Sequence, residues 1–234
     1  MKEALKNSGK MLVPALLALA FVVALAGCGN RDKGFTRAER IIIDKSGSVM
    51  YVAVMDRDSA VLRTPCLELS QAELESPRLR VLMDKMLSTL TSPEQDGVGL
   101  AAPQVGIGRR LILVQRMDLE GKPFRFYLNP HLDSLWGEQT VGPEGCLSLP
   151  PLRGMVRRYS SVAVSYLEPE TLEARTDTVH GYTAIIFQHE CDHLDGVLYT
   201  DKADTVFVSE SWAKEREAFS YDRPQWWPHP YKSE

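Results

Sequence analysis

Two histidines four residues apart, in the stretch FQHECDHLDG, constrain this chain more than any other feature of its sequence. On an α-helix, His189 and His193 lie one turn apart and project from the same face. Two histidines at this spacing, with a glutamate after the first, are typical of a metal site. A catalytic site of this kind needs a third protein ligand and an open position for water. The sequence therefore predicts a metal-binding helix here and a third ligand elsewhere.

The best candidate for the third ligand is Cys146, in the stretch PEGCLSLP. A thiolate, an imidazole or a carboxylate could complete the site. Cys146 lies between two prolines, which favours a restrained, non-helical backbone, and we expect its thiol to be exposed enough to meet a metal. The stretch GVGLAAPQVG, residues 97–106, has little side-chain bulk, so a ligand can come close to its backbone. Its one long polar side chain is Gln104.

Hydrophobic patterns around these stretches predict an α+β fold, with antiparallel strands packed around the metal-binding helix. Apolar residues at three- and four-residue steps indicate a helix, and apolar or alternating runs separated by turns indicate strands. Hairpin rather than crossover spacing favours antiparallel pairing. The predicted elements are a helix over 79–90, strands over 109–117, 122–130, 160–169 and 171–179, and a short strand within 41–55.

The first 27 residues are predicted to be an export signal. Lys2, Lys6 and Lys10 precede an almost purely apolar run, and this order of basic, apolar and small residues is typical of a secretory signal. The end of the run, LAGC, resembles a bacterial lipobox. That resemblance implies cleavage before Cys28, a lipid on its thiol and a membrane-anchored protein outside the cytoplasm. An uncleaved anchor helix is the alternative, and it places the domain on the same side.

Three stretches together resemble the peptide deformylase family. GVGLAAPQ, EGCLS and QHECDH match the motifs of that family without substitution and in the same order. The resemblance implies that Cys146, His189 and His193 hold one divalent metal ion, with iron(II) expected and zinc as the alternative. It also implies the reaction, which is hydrolysis of the N-formyl group of N-formylmethionyl peptides with release of formate.

The resemblance implies catalytic roles for three further residues. Glu190 points roughly 100° around the helix from His189, so it is poorly placed to be a ligand but can reach a water molecule in the site. The family's glutamate takes a proton from that water and delivers a proton to the leaving amine. The side-chain amide of Gln104 and the backbone N–H of Leu147 match the family's donors to the developing oxyanion.

Substrate-binding positions also follow from the resemblance. The backbones of Val98 and Gly99 match positions that pair with an extended peptide, and the missing side chain of Gly99 is expected to let the peptide come close. Arg153 matches an arginine near the backbone carbonyls of the substrate. Arg158 and Asp192 are expected to pair and to orient the metal-binding helix.

On this basis the chain divides into a signal peptide (1–27), a tether and N-terminal extension (28–60), a deformylase-like catalytic domain (61–205) and a C-terminal tail (206–234). Residues 29–40 are polar and without periodicity, as in a tether. The net charge of −4 argues against a nucleic-acid partner bound through overall positive charge.

Two other functions stay open at this point. One is a metal-dependent peptidase that uses the His-Glu-x-x-His pattern, and Cys146 argues against it. The other is a lipoprotein that binds formylated peptides without turnover. Glu190 and Gln104 argue against that function, because binding alone needs no positioned base.

Overall fold

An antiparallel sheet wrapped around one buried helix determines where the site lies. The computed structural model describes residues 34–95, 97–211, 214 and 223–228, which belong to one compact unit, Asp32–Glu234. Its helices are α1 (Arg37–Lys45), α2 (Met55–Arg63), α3 (Gln71–Leu74), α4 (Pro77–Leu90) and α5 (Gly181–Leu194). Its strands are β1 (Gly99–Ala101), β2 (Leu111–Gln115), β3 (Phe124–Gly145), β4 (Leu152–Leu167), β5 (Ala174–His180) and β6 (Ala203–Val208).

The strands follow one another in the order β1-β2-β3-β4-β5, and β6 pairs with the first half of β4. Neighbours in the sheet are antiparallel, so the predicted α+β class with antiparallel strands is confirmed. The helix α5 is buried along most of its length, and Phe187 and Leu194 pack against β2, β4 and β5 in one core cluster. The helix α4 contributes to a second cluster through Leu82 and Met86.

The strands β3 and β4 are longer than the predicted ones. The strand β3 does not end near residue 130 but runs on to Gly145, directly before the predicted ligand Cys146. Most residues between 133 and 143 are exposed, so this part of the strand lacks the alternation by which a half-buried strand is recognised. Register shifts between β3 and β4 interrupt the pattern further.

The predicted tether is wrong from Arg37 onward, and so is the short strand predicted within 41–55. Residues Arg37–Lys45 form α1, where Thr36 and Glu39 make a reciprocal capping box. The helix buries Ile42 and Ile43 together with the carboxylate of Glu39. The charged residue Glu39 is typical of a solvated segment, but here its side chain is buried and one face of the helix belongs to the core.

The predicted signal peptide and the lipidation site Cys28 lie outside the described residues. Within the described part of the chain, none of the helices has both the length and the apolar character that a membrane crossing requires. At the other end, β6 continues through the predicted boundary between residues 205 and 206. Trp227, in the predicted tail, is buried and packs in the same core cluster as Ile42.

Candidate metal centre and active site

The three predicted metal ligands lie together where the end of β3 meets α5. Cys146, His189 and His193 each offer one ligand atom, and these atoms all lie within 4.8 Å of one another. Cys146 Sγ is 3.2 Å from His193 Nε2. Ligand atoms about 2.0–2.3 Å from one tetrahedral metal ion are separated by about 3.3–3.8 Å, and the distance between Sγ and Nε2 is close to that range. Contrary to expectation, the thiol of Cys146 is buried, because it meets the site from within the wall of a cavity.

The orientation of His189 is set by Glu144, a residue outside the predicted site. His189 Nδ1 lies 2.8 Å from Glu144 Oε2, which leaves Nε2 to face the other two ligands. Arg158 binds the same carboxylate through two hydrogen bonds, of 2.7 and 3.0 Å, and also pairs with Asp192 as expected. Burial alone would raise the pKa of Glu144, but hydrogen bonds with His189 and Arg158 outweigh it and lower that pKa to about 2.

A carboxylate two residues before a thiol ligand was the one signal of this role in the sequence. Metal-binding histidines usually donate their second N–H to a carboxylate or a carbonyl oxygen. The partner can lie anywhere in the chain, and Glu144 is 45 residues from His189. The pairing therefore becomes visible only in the folded structure.

Gln104 is held with its amide N–H₂ group toward the metal ligands. It lies on a short 3₁₀-helix, Ala102–Val105, directly after β1. Its Oε1 accepts a hydrogen bond of 2.8 Å from the backbone N–H of Ala101, and its Nε2 donates to Cys146 Sγ and Ser148 Oγ, both at 3.4 Å. Because the oxygen is already used, the N–H₂ group is the end that faces the cavity.

Glu190 is buried beside the ligands with one carboxylate oxygen, Oε2, that has no hydrogen-bond partner among the described residues. Burial raises the pKa of Glu190 to about 7, the range in which a carboxylate both accepts and donates a proton readily. A Cβ added to Gly99 would lie 2.8 Å from Glu190 Cδ. Glu190 therefore occupies the space that a side chain at residue 99 would need, and the closer approach of a peptide at Gly99 stays a prediction.

Among the described residues, β1 pairs only with β2, so its other edge is open. In the pairing of β1 with β2, the Val98 carbonyl accepts a hydrogen bond of 2.8 Å from the Gln115 N–H, so Val98 faces the sheet. Backbone groups alternate in direction along an antiparallel strand, and those of Gly99 therefore face the open edge. Of the two predicted peptide-binding positions, Gly99 is the one whose backbone is directed outward.

A cavity of about 840 Å³ joins these features. Tyr182, Ile185 and Ile186 of α5 give it an apolar side, and Arg153 of β4 lies opposite Gly145 in the sheet. Of the predicted site residues on the described chain, His193 alone does not line the cavity. The lining residues among them are Val98, Gly99, Gln104, Cys146, Leu147, Arg153, His189 and Glu190.

Comparison with known proteins identifies the family. The sequence profile described as Polypeptide deformylase matches residues 51–207. The chain belongs to the polypeptide deformylase family. The family predicted from the three motifs is thereby confirmed, and the deformylase is an enzyme of the metal-dependent hydrolase class.

Curated deformylases resemble this one over most of the matched region. Peptide deformylase of Symbiobacterium thermophilum is 45% identical over 141 residues, which cover 60% of this chain and 63% of that protein. Peptide deformylase of Leptospira biflexa is 35% identical over 149 residues, which cover 61% of this chain and 82% of that protein. The chain thus spans slightly less than two thirds of the first relative and most of the second.

Solved deformylase structures share the fold. The Met-Ala-Ser-bound class I type b enzyme of Acinetobacter baumannii is 36% identical with a TM-score of 0.59, over 66% of this chain and 98% of that one. The actinonin complex of the Synechococcus elongatus enzyme is 33% identical with a TM-score of 0.59, over 73% of this chain and 85% of that one. The helix α1 and Trp227 of this deformylase lie outside the residues that the family profile matches.

Proposed function

We propose that this protein removes the N-formyl group from N-formylmethionyl peptides by hydrolysis, releasing formate, and that it does so as a lipid-anchored protein outside the cytoplasm. One observation carries the chemistry: the buried carboxylate of Glu190, with a pKa raised to about 7, lies beside a cluster of one thiol and two imidazoles. A base in that place is needed for hydrolysis and not for binding alone.

Cys146, His189 and His193 would hold the metal ion, iron(II) by analogy with the family and zinc as the alternative. When bound, such an ion supplies Lewis acidity that polarises the formyl carbonyl and lowers the pKa of water. Glu190 accepts a proton as the water oxygen bonds to the formyl carbon. Gln104 Nε2 and the Leu147 backbone N–H donate to the developing oxyanion. Glu190 then returns the proton to the amine nitrogen as the C–N bond breaks.

The peptide is proposed to bind in extended form along the open edge of β1. The outward backbone of Gly99 supplies main-chain hydrogen bonds, and Arg153 lies where carbonyl oxygens of the peptide would pass. The apolar side of the cavity, with Ile185 and Ile186, suits a methionine side chain. The Met-Ala-Ser bound to the Acinetobacter baumannii enzyme supports a peptide of this class.

Turnover of formyl-Met-Ala-Ser tests the reaction. The full chain, purified in detergent and loaded anaerobically with Fe²⁺, should release formate. Glu190→Gln should lower kcat by about 10²- to 10⁴-fold with metal content unchanged, because it removes the base and keeps the ligands. Cys191 follows Glu190 on α5 and is buried in the core cluster, so Cys191→Ala should keep most of the activity.

Equal rates for Glu190→Gln and the unchanged protein would contradict the mechanism. A folded, metal-loaded protein that releases no formate would contradict the function. Cleavage of a peptide bond in unformylated Met-Ala-Ser would favour the peptidase alternative.

The lipid anchor is supported by the N-terminal sequence, in which a basic and then an apolar segment end in LAGC. Metabolic labelling with an alkyne fatty acid in a bacterial host should label the protein, and Cys28→Ser should abolish the label. A soluble cytoplasmic protein that retains Met1 and takes up no lipid would contradict the proposed location.

A further inference from the structure

The extended segment Tyr51–Val54 and Met55, the first residue of α2, connect the 3₁₀-helix that carries Gln104 with the loop that follows Cys146; we call residues 51–55 the strap. The backbone N–H of Ala53 donates to the Gln104 carbonyl at 2.7 Å, and that of Met55 donates to the Ser148 carbonyl at 2.9 Å. Ala53 and Met55 are two residues apart, so in an extended chain their N–H groups point the same way. The strap therefore fixes the distance between the loop that follows Cys146 and the 3₁₀-helix Ala102–Val105, which we call the Gln104 turn.

The strap is itself held by the carboxylate of Asp58, whose side chain is 3% exposed. Asp58 Oδ2 accepts hydrogen bonds from the Tyr51 hydroxyl at 2.6 Å and from the Val54 N–H at 3.1 Å. Asp58 Oδ1 accepts from Arg223 Nη1 at 3.3 Å. A buried carboxylate requires such partners. Arg223 belongs to residues 223–228, which we call the C-terminal segment.

The C-terminal segment also touches the Gln104 turn directly. The turn ends at Gly106, which has a left-handed backbone with φ of +81°. A Cβ at Gly106 would lie 2.7 Å from Trp227 Cη2 and 2.9 Å from Ile42 Cδ1, so these side chains fill the space behind the turn. The ring of Trp227 packs edge-on against Tyr51 of the strap, with centroids 4.9 Å apart.

We infer that the C-terminal segment, through Trp227 and Arg223, positions Gln104 and the loop after Cys146 for the reaction. Trp227 and Arg223 are positioning residues that touch no substrate. They act through the strap and Gly106, and they lie outside the part of the chain that the deformylase profile matches. The inference rests on the proposed function for its kinetic consequence, and on backbone contacts for its structural one.

Five variants of the full chain, purified in detergent and loaded with Fe²⁺, test the inference with formyl-Met-Ala-Ser. Trp227→Ala should lower kcat by about tenfold to a hundredfold, because a shift of about 1 Å in a catalytic group has an effect of that order. KM should stay within about threefold, since Gln104 acts mainly in the transition state. Trp227→Phe should recover most of kcat, because the indole N–H has no hydrogen-bond partner among the described residues.

The third variant, Trp226→Ala, is the matched control. Trp226 is half-buried in the same segment. Its substitution by alanine removes a side chain of the same size as the Trp227→Ala substitution does. Its kcat should stay within about threefold of the unchanged protein. A loss equal to that of Trp227→Ala would overturn the inference, because it would reflect general loosening of the segment.

The fourth variant, Arg223→Ala, decides the question if Trp227→Ala does not fold. The Arg223 side chain is 29% exposed, so its loss is tolerated more readily. It should lower kcat by about fivefold, and Arg223→Lys should recover part of the loss. Unchanged kcat in every variant that remains folded by circular dichroism would overturn the inference.

Amide hydrogen exchange gives a readout that does not depend on turnover or metal. The Ala53 and Met55 amides should exchange faster in Trp227→Ala than in the unchanged protein. Equal exchange would overturn the inference even if the protein proves inactive on formylated peptides. An unchanged protein without formate release, but with faster exchange in the variant, would instead mean that the proposed function has failed and the positioning contact stands.

Discussion

The Glu190 side chain fills the space that a side chain at residue 99 would need, so Gly99 lets the proposed catalytic base keep its position. Gly99→Ala should lower kcat by about 10²-fold, because the new methyl group forces the Glu190 carboxylate away from the ligands. Formate release from formyl-Met-Ala-Ser measures the effect. Gly47→Ala is the control, since a Cβ there meets only an ordinary contact of 3.7 Å and kcat should not change. Equal activity of both variants would show that Glu190 does not need its present position.

Glu144 connects the candidate metal ligand His189 to Arg158, and two substitutions distinguish the effects of these contacts. Glu144→Gln should weaken metal binding by about 10- to 100-fold, because the neutral amide no longer stabilises the oriented imidazole. Competition with a chelator measures the affinity. Asp192→Asn also removes a partner of Arg158 but not one of His189, so it should leave affinity nearly unchanged. Equal weakening in both variants would assign the effect to Arg158 instead.

At the scale of elements, a buried ion-pair network joins α1 to the rest of the domain, in addition to its core packing. Glu39 Oε1 accepts from Arg109 Nη1 at 2.9 Å and from the Gly108 N–H at 3.1 Å, while Glu73 binds Arg109 Nε at 2.7 Å. Gly108 follows the Gln104 turn closely in the chain. The network therefore anchors α1 to the segment that carries an active-site residue.

Glu39→Ala should lower the free energy of unfolding by about 3 kcal/mol, because it leaves a buried guanidinium and a backbone N–H short of partners. Urea unfolding followed by circular dichroism measures the change. Glu68→Ala removes a carboxylate that is 52% exposed and pairs with His131, and its effect should stay within about 0.5 kcal/mol. A change below 1 kcal/mol for Glu39→Ala would mean that α1 contributes little to stability.

At the scale of the whole molecule, carboxylates paired with arginines set the response of stability to acid. Hydrogen bonds with Arg116 lower the pKa of Asp118 below its ordinary value of 3.8, and hydrogen bonds with Arg63 do the same for Asp201. A carboxyl group with a lowered pKa in the folded state stabilises the protein above its unfolded pKa. That contribution is lost as the pH falls through the folded-state value.

The urea midpoint of the metal-free protein should therefore fall steeply as the pH falls below 4. A chelator in all samples removes metal release as a cause. Asp118→Asn should flatten the acid limb, because an amide does not titrate there. A midpoint that is constant from pH 5 to 3 would contradict the assignment of these pairs.

Residues whose role follows from their local spacing could be predicted from the sequence. Residues whose role depends on partners far away in the chain could not. The spacing of His189 and His193 shows a shared helix face without any knowledge of the rest of the fold. The roles of Glu144 and Glu39 depend on His189 and Arg109, which are 45 and 70 residues away. Hydrophobic periodicity detects buried apolar faces, but it does not detect a buried carboxylate that pairs with an arginine of another element. For this reason the sequence predicts a tether where the structure has α1.

The contact of Trp227 and Ile42 behind Gly106 has a consequence for the order in which the protein is made. Ile42 belongs to the first described helix and Trp227 to the last described segment, and they meet at the turn that carries Gln104. A chain that is still being synthesised has its three candidate metal ligands before it has Trp227. We therefore expect full activity only once Trp227 has been made, and a chain that stops before it should have the candidate metal ligands in place but the Gln104 turn unsupported.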